Sequence, residues 1–307
     1  MVGRTLIEVM IALTLGLVIL LAITSLFVTN KQTYRTSDDK TRLDEEGYLA
    51  LNLIAFNVRM AGYGSLTSAL THDDSSEAVP KPMPPPAVYT NLSGAGLAPG
   101  VVDTGTAPNV IFGCANGFAD SSSAVAACAP GTTSDAFLVR YVIDARNANL
   151  TAGGVPTDCL GAGVVATAAA TPFFIVENRF FSQISPTTGV PELYCQGNGN
   201  TLAGANFANP AQPITENVEQ IKVTYGVSAG GQSVARSMTA DGMTSADWRN
   251  VISAKICLVV RSANNNITTK AQTYRDCSNA VVVAPDRRLR GVFSSTITLR
   301  NRITGAL

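Results

Sequence analysis

The sequence predicts an α+β protein: one long N-terminal α-helix, membrane-spanning first and amphipathic later, packed on an antiparallel β-sheet domain closed by disulfides. Three observations carry this. From Val9 to Val28 no side chain is charged, and about 20 apolar residues at 1.5 Å rise each match a bilayer core of about 30 Å. From Leu43 to Ala61 apolar residues recur at spacings of three and four. Beyond them the pattern changes to alternation with period two, and all six cysteines lie there.

The first element is the apolar run. A cleaved secretory signal has a shorter apolar region and a small-residue cleavage site, which this run lacks, and a plain signal anchor would fit the hydropathy as well. Glu8 sits at its mouth. An ionised carboxylate facing hydrocarbon costs roughly 2.5 to 3.5 kcal/mol on insertion scales, so a partner for it is expected.

Gly3, then Thr5-Leu6-Ile7-Glu8, then an apolar helix resembles the N-terminus of type IV pilins and type II secretion pseudopilins. The resemblance implies a leader at 1–3, cut by a prepilin peptidase between Gly3 and Arg4. It implies N-methylation of the new Arg4 amine and a filament contact between Glu8 and a neighbour's amine. Arg4 stands where the family usually has phenylalanine, and the leader Met1-Val2-Gly3 is short.

The helix is expected to run on through the polar stretch Asn30 to Arg42. Leu43, Gly47, Ala50, Ile54, Val58 and Ala61 then draw one apolar stripe, and Gly62-Tyr63-Gly64 supplies the glycine that commonly follows a helix. Residues 4–64 form the N-terminal helical segment, with the span at about 9–28 and the amphipathic part at about 43–61. A helix from Thr5 to Ala61 is on the order of 85 Å long at 1.5 Å per residue. Its stretch from Ala50 to Gly64 resembles the corresponding segment of the PilW family of minor pilins.

Residues 65–307 form the β-rich globular domain, expected in the periplasm or outside the cell. Its first part, Ser65 to Asn109, is rich in Ser, Pro, Gly and Ala, with prolines at 80, 82, 84, 85 and 86 forcing extended geometry. It reads as a surface excursion. Strands follow: Ile221 to Tyr225, Ile252 to Val260 and Phe293 to Leu299 alternate, each with one buried and one wetter face. Ala136 to Ile143, Phe173 to Val176 and Ala280 to Val283 read as strands by β-branched and aromatic content. One-sided strands favour antiparallel pairing, and the helix stripe is the natural cover for the sheet. The phrases Glu192 to Gly197, Val223 to Val227, Lys255 to Ser262 and Arg287 to Phe293, in that order, extend the PilW resemblance over most of the chain.

Cys114, Cys128, Cys159, Cys195, Cys257 and Cys277 form an even set with 15 possible connectivities. With the topology that the resemblance implies they face an oxidising compartment, where disulfides persist. Zinc is disfavoured, since there is no C-x-x-C pair and only one histidine. The expected pairing is sequential. Cys114 and Cys128 flank a short polar loop, Cys257 and Cys277 flank the Asn264-Asn265-Asn266 turn, and Cys159 and Cys195 are left for each other.

Other patterns lack their context. Gly226-Val227-Ser228-Ala229-Gly230 matches a nucleophile elbow, but no helix follows and the only histidine, His72, lies in the excursion; a hairpin is expected. Gly161-Ala162-Gly163-Val164-Val165-Ala166 has no βαβ unit around it and reads as a small-residue loop. Arg287, Arg288 and Arg290 beside Asp286 read as a solvated turn, and Trp248 as a packing residue before the Val251 strand. No catalytic group and no cofactor or metal site is expected. With 22 basic and 22 acidic residues, no net field draws nucleic acid to the chain.

The resemblance implies a non-enzymatic minor pilin, held in the inner membrane before assembly and later at or near a pilus tip. Its expected partners are other minor pilins, the major pilin, the prepilin peptidase and a tip adhesin. The alternatives are a minor pseudopilin resembling pseudopilin J of a type II secretion system, and a membrane-anchored binding domain unrelated to filaments.

Overall fold

Helix α1 runs unbroken from Leu6 to Met60 in a computed structural model that describes residues 5–63, 109–131, 134–143, 148–166, 174–201, 205–229 and 233–302. The expected leader at 1–3, Arg4 and the stretch read as a Pro-rich excursion, up to residue 108, lie outside the described residues. Thr5 caps the start in an extended conformation. At the other end Gly62 takes φ +75°, the left-handed geometry that glycine adopts without a Cβ penalty, and it turns the chain out of the helix. The Gly62 N–H donates to Arg140 O (2.9 Å) and Tyr63 N–H to Met60 O (2.8 Å).

The expected antiparallel β domain follows as two sheets. The first is a meander of β1 (Ile111–Cys114), β2 (Ala136–Ile143), β3 (Phe174–Ile184), β4 (Pro191–Gly197) and β5 (Gln212–Glu216) in chain order. The second has the order β11-β8-β6-β7, made of β6 (Val218–Val227), β7 (Arg236–Met238), β8 (Val251–Arg261) and β11 (Arg290–Thr298). A short ribbon pairs β9 (Thr273–Arg275) with β10 (Val281–Val283). A five-residue helix α2 (Ser245–Arg249) precedes β8. Its start is fixed by a capping box in which Thr244 and Asp247 satisfy each other's backbone N–H.

The chain passes between the sheets through one residue, Asn217, at φ +62°. Asparagine tolerates this region better than most residues. Its carbonyl accepts from Arg261 N–H (2.9 Å) and its Nδ2 donates to Glu46 Oε2 of α1 (3.2 Å). The same corner therefore joins both sheets and the helix.

The second half of α1 lies mainly along β11 and β8, touching β2 and β5 as well. Leu43, Gly47, Ala50, Ile54, Val58 and Ala61 are all buried, so the predicted stripe is the docking face. At Gly47 the Phe293 ring occupies the place a Cβ would take, and at Gly291 the Leu43 side chain approaches to 2.6 Å of that place. These two glycines let helix and sheet close together.

Not every strand has a wet face. Both faces of β2 and β4, and of β3 through Phe181, are almost wholly buried. The helix-side face meets the core, while Arg179 and Phe181 on the opposite face pack against Phe118 and Phe207 from neighbouring loops. The expectation of β3 as a short apolar strand also falls short: it continues to Ile184 through Glu177, Asn178 and Arg179, polar residues that break the apolar run and are satisfied inside.

Candidate assembly surface

Among the described residues, the first half of α1 has no partner within its own chain. From Leu6 to Val28 its large apolar side chains are between 45% and 79% exposed. Such a helix, apolar all round, belongs in lipid or among other helices. Its hydroxyls are already satisfied: Thr14 donates to Ile11 O (2.9 Å), Thr24 to Leu20 O (2.8 Å) and Ser25 to Ala22 O (2.8 Å). Bonding back to the helix backbone removes the cost of placing those groups in hydrocarbon. Glu8 is then the single ionisable side chain between Thr5 and Lys31. It stands exposed in the first turn, with no ion pair among the described residues.

The second half is bolted to the head by polar contacts spaced along the stripe. Asn264 Nδ2 donates to Asp39 Oδ1 (2.9 Å), and Asn217 holds Glu46. Deeper in, Asn57 Oδ1 accepts from Tyr141 Oη (3.0 Å) and Asn178 Nδ2 (2.7 Å), while Asn57 Nδ2 donates to Leu53 O (2.9 Å). Burial pushes the Tyr141 hydroxyl well above the ordinary phenol range, so it remains a neutral donor. Asn301 Nδ2 donates to Arg59 O (3.0 Å), serving one of the carbonyls that a helix C-terminus leaves open. The sequence reading missed all of these; the signal was a polar residue, Asn57, close beside the apolar stripe.

The head is stiffened by three disulfides, Cys114–Cys128, Cys159–Cys195 and Cys257–Cys277, with Cα–Cα distances of 5.2, 6.6 and 5.7 Å. The last ties the β9–β10 ribbon to β8, covering Cys257 on the face that alternation alone would leave wet. Asn178 Oδ1 accepts from Cys159 N–H (3.1 Å), linking the second disulfide to the Asn57 cluster.

Across β2 and β3, Arg140 faces Glu177 in register. Arg140 Nε donates to Glu177 Oε2 (2.6 Å) and Arg179 Nε to Glu177 Oε1 (2.7 Å), and all three side chains are buried. Burial alone would raise the Glu177 carboxyl, but the two guanidinium groups bring it below the usual range. Arg179 Nη1 also donates to Ser121 O (2.8 Å) and Ser123 O (2.7 Å), and its guanidinium lies 4.3 Å from the Phe207 ring centre.

The predicted solvated arginine turn is corrected at Arg290, whereas Arg287 is exposed as expected. Arg290 is buried, with Nε and Nη2 donating to the two oxygens of Glu219 (2.8 Å each) and Nη1 to Asp286 Oδ1 (2.6 Å). Arg288 Nη1 donates to Ser262 O (2.9 Å). Two acids from different elements gather these cations, and no sequence window contains both. Trp248 packs between Phe112 and Tyr225, with ring centres 5.0 and 4.7 Å away. Among the described residues no group of three or more His, Cys, Asp or Glu could hold a metal ion.

No curated protein matches the chain. Among solved structures, a type IV-like pilin from Thermus thermophilus matches at 12% identity, over 56% of this chain and 82% of that chain, with a TM-score of 0.30. The four β-domain phrases from Glu192 to Phe293 all fall within one further match: over residues 180–301 the chain fits the sequence model of the PilW family, Type IV Pilus-assembly protein W.

Proposed function

We propose that this chain is a non-enzymatic minor pilin that helps initiate a type IV pilus and stays at or near its tip with other minor pilins. The carrying observation is α1, one unbroken helix whose first half exposes its whole apolar surface while its second half is fastened to a disulfide-braced head. A rigid link of this kind makes removal from the membrane and addition to a helical bundle one movement of one body. The family match over residues 180–301 supports the pilus setting.

Within this reading the prepilin peptidase cuts between Gly3 and Arg4, and the Arg4 amine is methylated. Glu8 meets the amine of a neighbouring pilin, an opposite charge that offsets its desolvation in the filament. Before assembly the head is periplasmic; afterwards the protein is extracellular. Beyond the N-terminal helix the chain adds about 240 residues, at the upper end of common domain sizes. That bulk would crowd neighbours in every layer of a shaft but is tolerated at its end, where the loops can meet an adhesin.

Quantitative proteomics and immunogold labelling of purified pili test the placement. Few copies confined to one end, and loss of surface pili in a deletion strain that still makes major pilin, are expected. Labelling along the shaft near major-pilin stoichiometry, or normal piliation in the deletion strain, would contradict it. The N-terminal peptide is expected to begin with methylated Arg4; an intact Met1 in cells with active peptidase would remove that step.

A further inference from the structure

Strand β11 forms one end of the second sheet. On its inner side Leu299 N–H donates to Ile252 O and Ser262 N–H to Leu289 O (2.8 Å each), and the register runs unbroken from Arg290↔Arg261 to Thr298↔Ser253. Bonded and non-bonded residues alternate in an antiparallel ladder, so the odd-numbered residues of β11 bond to β8. Val292, Ser294, Thr296 and Thr298 turn both N–H and C=O the other way, and no described residue bonds these groups. The rung before them is filled. Gln272 donates through Nε2 to Arg290 O (3.0 Å) and accepts at Oε1 from Arg290 N–H (2.6 Å). One side-chain amide thus takes the place that a peptide group of a neighbouring strand would take.

Sheet edges are commonly guarded against pairing by short strands, bulges, proline or charge. The other edges of the two sheets are guarded in this way. β1 and β7 have four and three residues, and β5 has five, with Pro213 and a shift of register. β11 has nine residues, and from Val292 to Thr298 it has no charge, no proline and no bulge. The edge also has a wall. Glu46 meets Asn217 beside the start of β6 and so marks the β6 side of α1. Tyr48, about 200° further round at 3.6 residues per turn, lies on the opposite flank, where its ring meets Phe293 edge-on at 5.3 Å and stays 61% exposed.

We infer that this edge receives an extended segment of another protein as a fifth strand of the sheet. The segment is about seven residues long, with apolar side chains toward Tyr48 and small or β-branched ones beside the hydroxyls of Ser294, Thr296 and Thr298. It is uncharged, since β11 offers it no counter-charge. Main-chain hydrogen bonds attach such a strand and its alternate side chains select it. It runs antiparallel, the stronger arrangement per residue. β11 itself runs in the direction of α1, since Gly291 lies at Leu43 and Asn301 at Arg59. Two copies held in one membrane present their β11 strands parallel, so a second β11 is the wrong way round. This choice of partner rests on α1 crossing a membrane; the open edge does not.

The probe is a synthetic peptide with the sequence from Gly291 to Arg300, N-methylated at Phe293, Ser295 and Ile297 so that it pairs along one edge only. Free of the membrane, it can lie antiparallel on β11. Residue-resolved hydrogen exchange of the full-length protein in micelles reads its binding. Without peptide, the amides of Val292, Ser294, Thr296 and Thr298 should exchange about tenfold or more faster than their odd-numbered neighbours, and saturating peptide should slow them by as much. Thr296→Pro and Ser294→Pro each remove one outward N–H and no bond to β8, a place where a strand tolerates proline. Each should leave the melting of the head near wild type and weaken the peptide by about tenfold or more. Uniform protection of β11 without peptide, no slowing with it, or wild-type peptide affinity in both variants would overturn the inference. Exchange on the wild type decides if a variant fails to fold. Native mass spectrometry of the protein in micelles reads the partner: a monomer is expected, and a dimer lost in Thr296→Pro would overturn the choice of another protein over a second copy. Alkaline extraction of membranes reads the span on its own. Free extraction would overturn that same choice and leave the peptide result to decide the edge.

Discussion

Between Leu6 and Val28, α1 exposes its large apolar side chains, whereas between Leu43 and Ala61 the same helix buries a stripe against β11 and β8. The two glycines within these halves make the difference concrete. A Cβ at Gly16 would meet nothing within 4 Å, while one at Gly47 would collide with the Phe293 ring. The backbone is equally helical in both places, so what differs is where the complementary surface lies. For the second half it is in the same chain; for the first no described residue supplies it, and an all-apolar surface of this length suits lipid or other helices.

The sharpest way to break the head while sparing the span is Glu177→Gln. It leaves Arg140 and Arg179 buried without their counter-charge, a loss of about 3 to 5 kcal/mol. Denaturant titration of the full-length protein in micelles is expected to show an earlier head transition with the span still helical. Because the folded Glu177 carboxyl lies below its ordinary value of 4.5, its charge stabilises the fold above that value. This contribution is lost as pH falls from about 4.5 through the lower folded value. A head transition indifferent to acid over that range would count against the buried pair.

Next in size is removal of one disulfide. Cys257→Ser with Cys277→Ser opens a loop of 20-residue separation, about 3 kcal/mol in the chain-entropy account. It should free the β9–β10 ribbon for proteolysis while the first half of α1 is unaffected. Non-reducing peptide mapping of the wild type is expected to give 114/128, 159/195 and 257/277, with no free thiols.

Smaller again is the glycine pair. Gly47→Ala gains helix propensity but overpacks against Phe293, a net loss of about 1 to 3 kcal/mol. Gly16→Ala gains the propensity with no clash. Equal effects of the two substitutions on the melting of the head would erase the distinction between the halves.

Much of this was legible in the sequence because it is written in periods. The apolar run, the stripe from Leu43 to Ala61, the glycine at 62 and the alternating strands each depend on neighbours a few residues away. Strand β2 was found with its bounds, from β-branched and aromatic content. The buried polar groups were not legible. Glu177 is saved by Arg140, 37 residues earlier, and Arg290 by Glu219, 71 residues earlier. In a local window each is only a charge that breaks a strand or marks a wet turn. The division into two sheets was hidden for the same reason, since it turns on Asn217 and on a helix contact 171 residues away. Of the candidate site, the cysteines and Glu8 were visible by residue type and position, while the Asn57 cluster needed the fold.

The smallest expected effect on stability belongs to the residue with the largest expected effect on assembly. Glu8 is exposed, so Glu8→Ala should change the head's unfolding by no more than about 0.5 kcal/mol and should leave membrane insertion intact. Recovery of this variant in sheared pili, measured against its level in the membrane, tests most directly whether the first half of α1 is an assembly surface. A normal membrane pool with the variant depleted from pili is expected; recovery in pili at the wild-type ratio would contradict that role for Glu8.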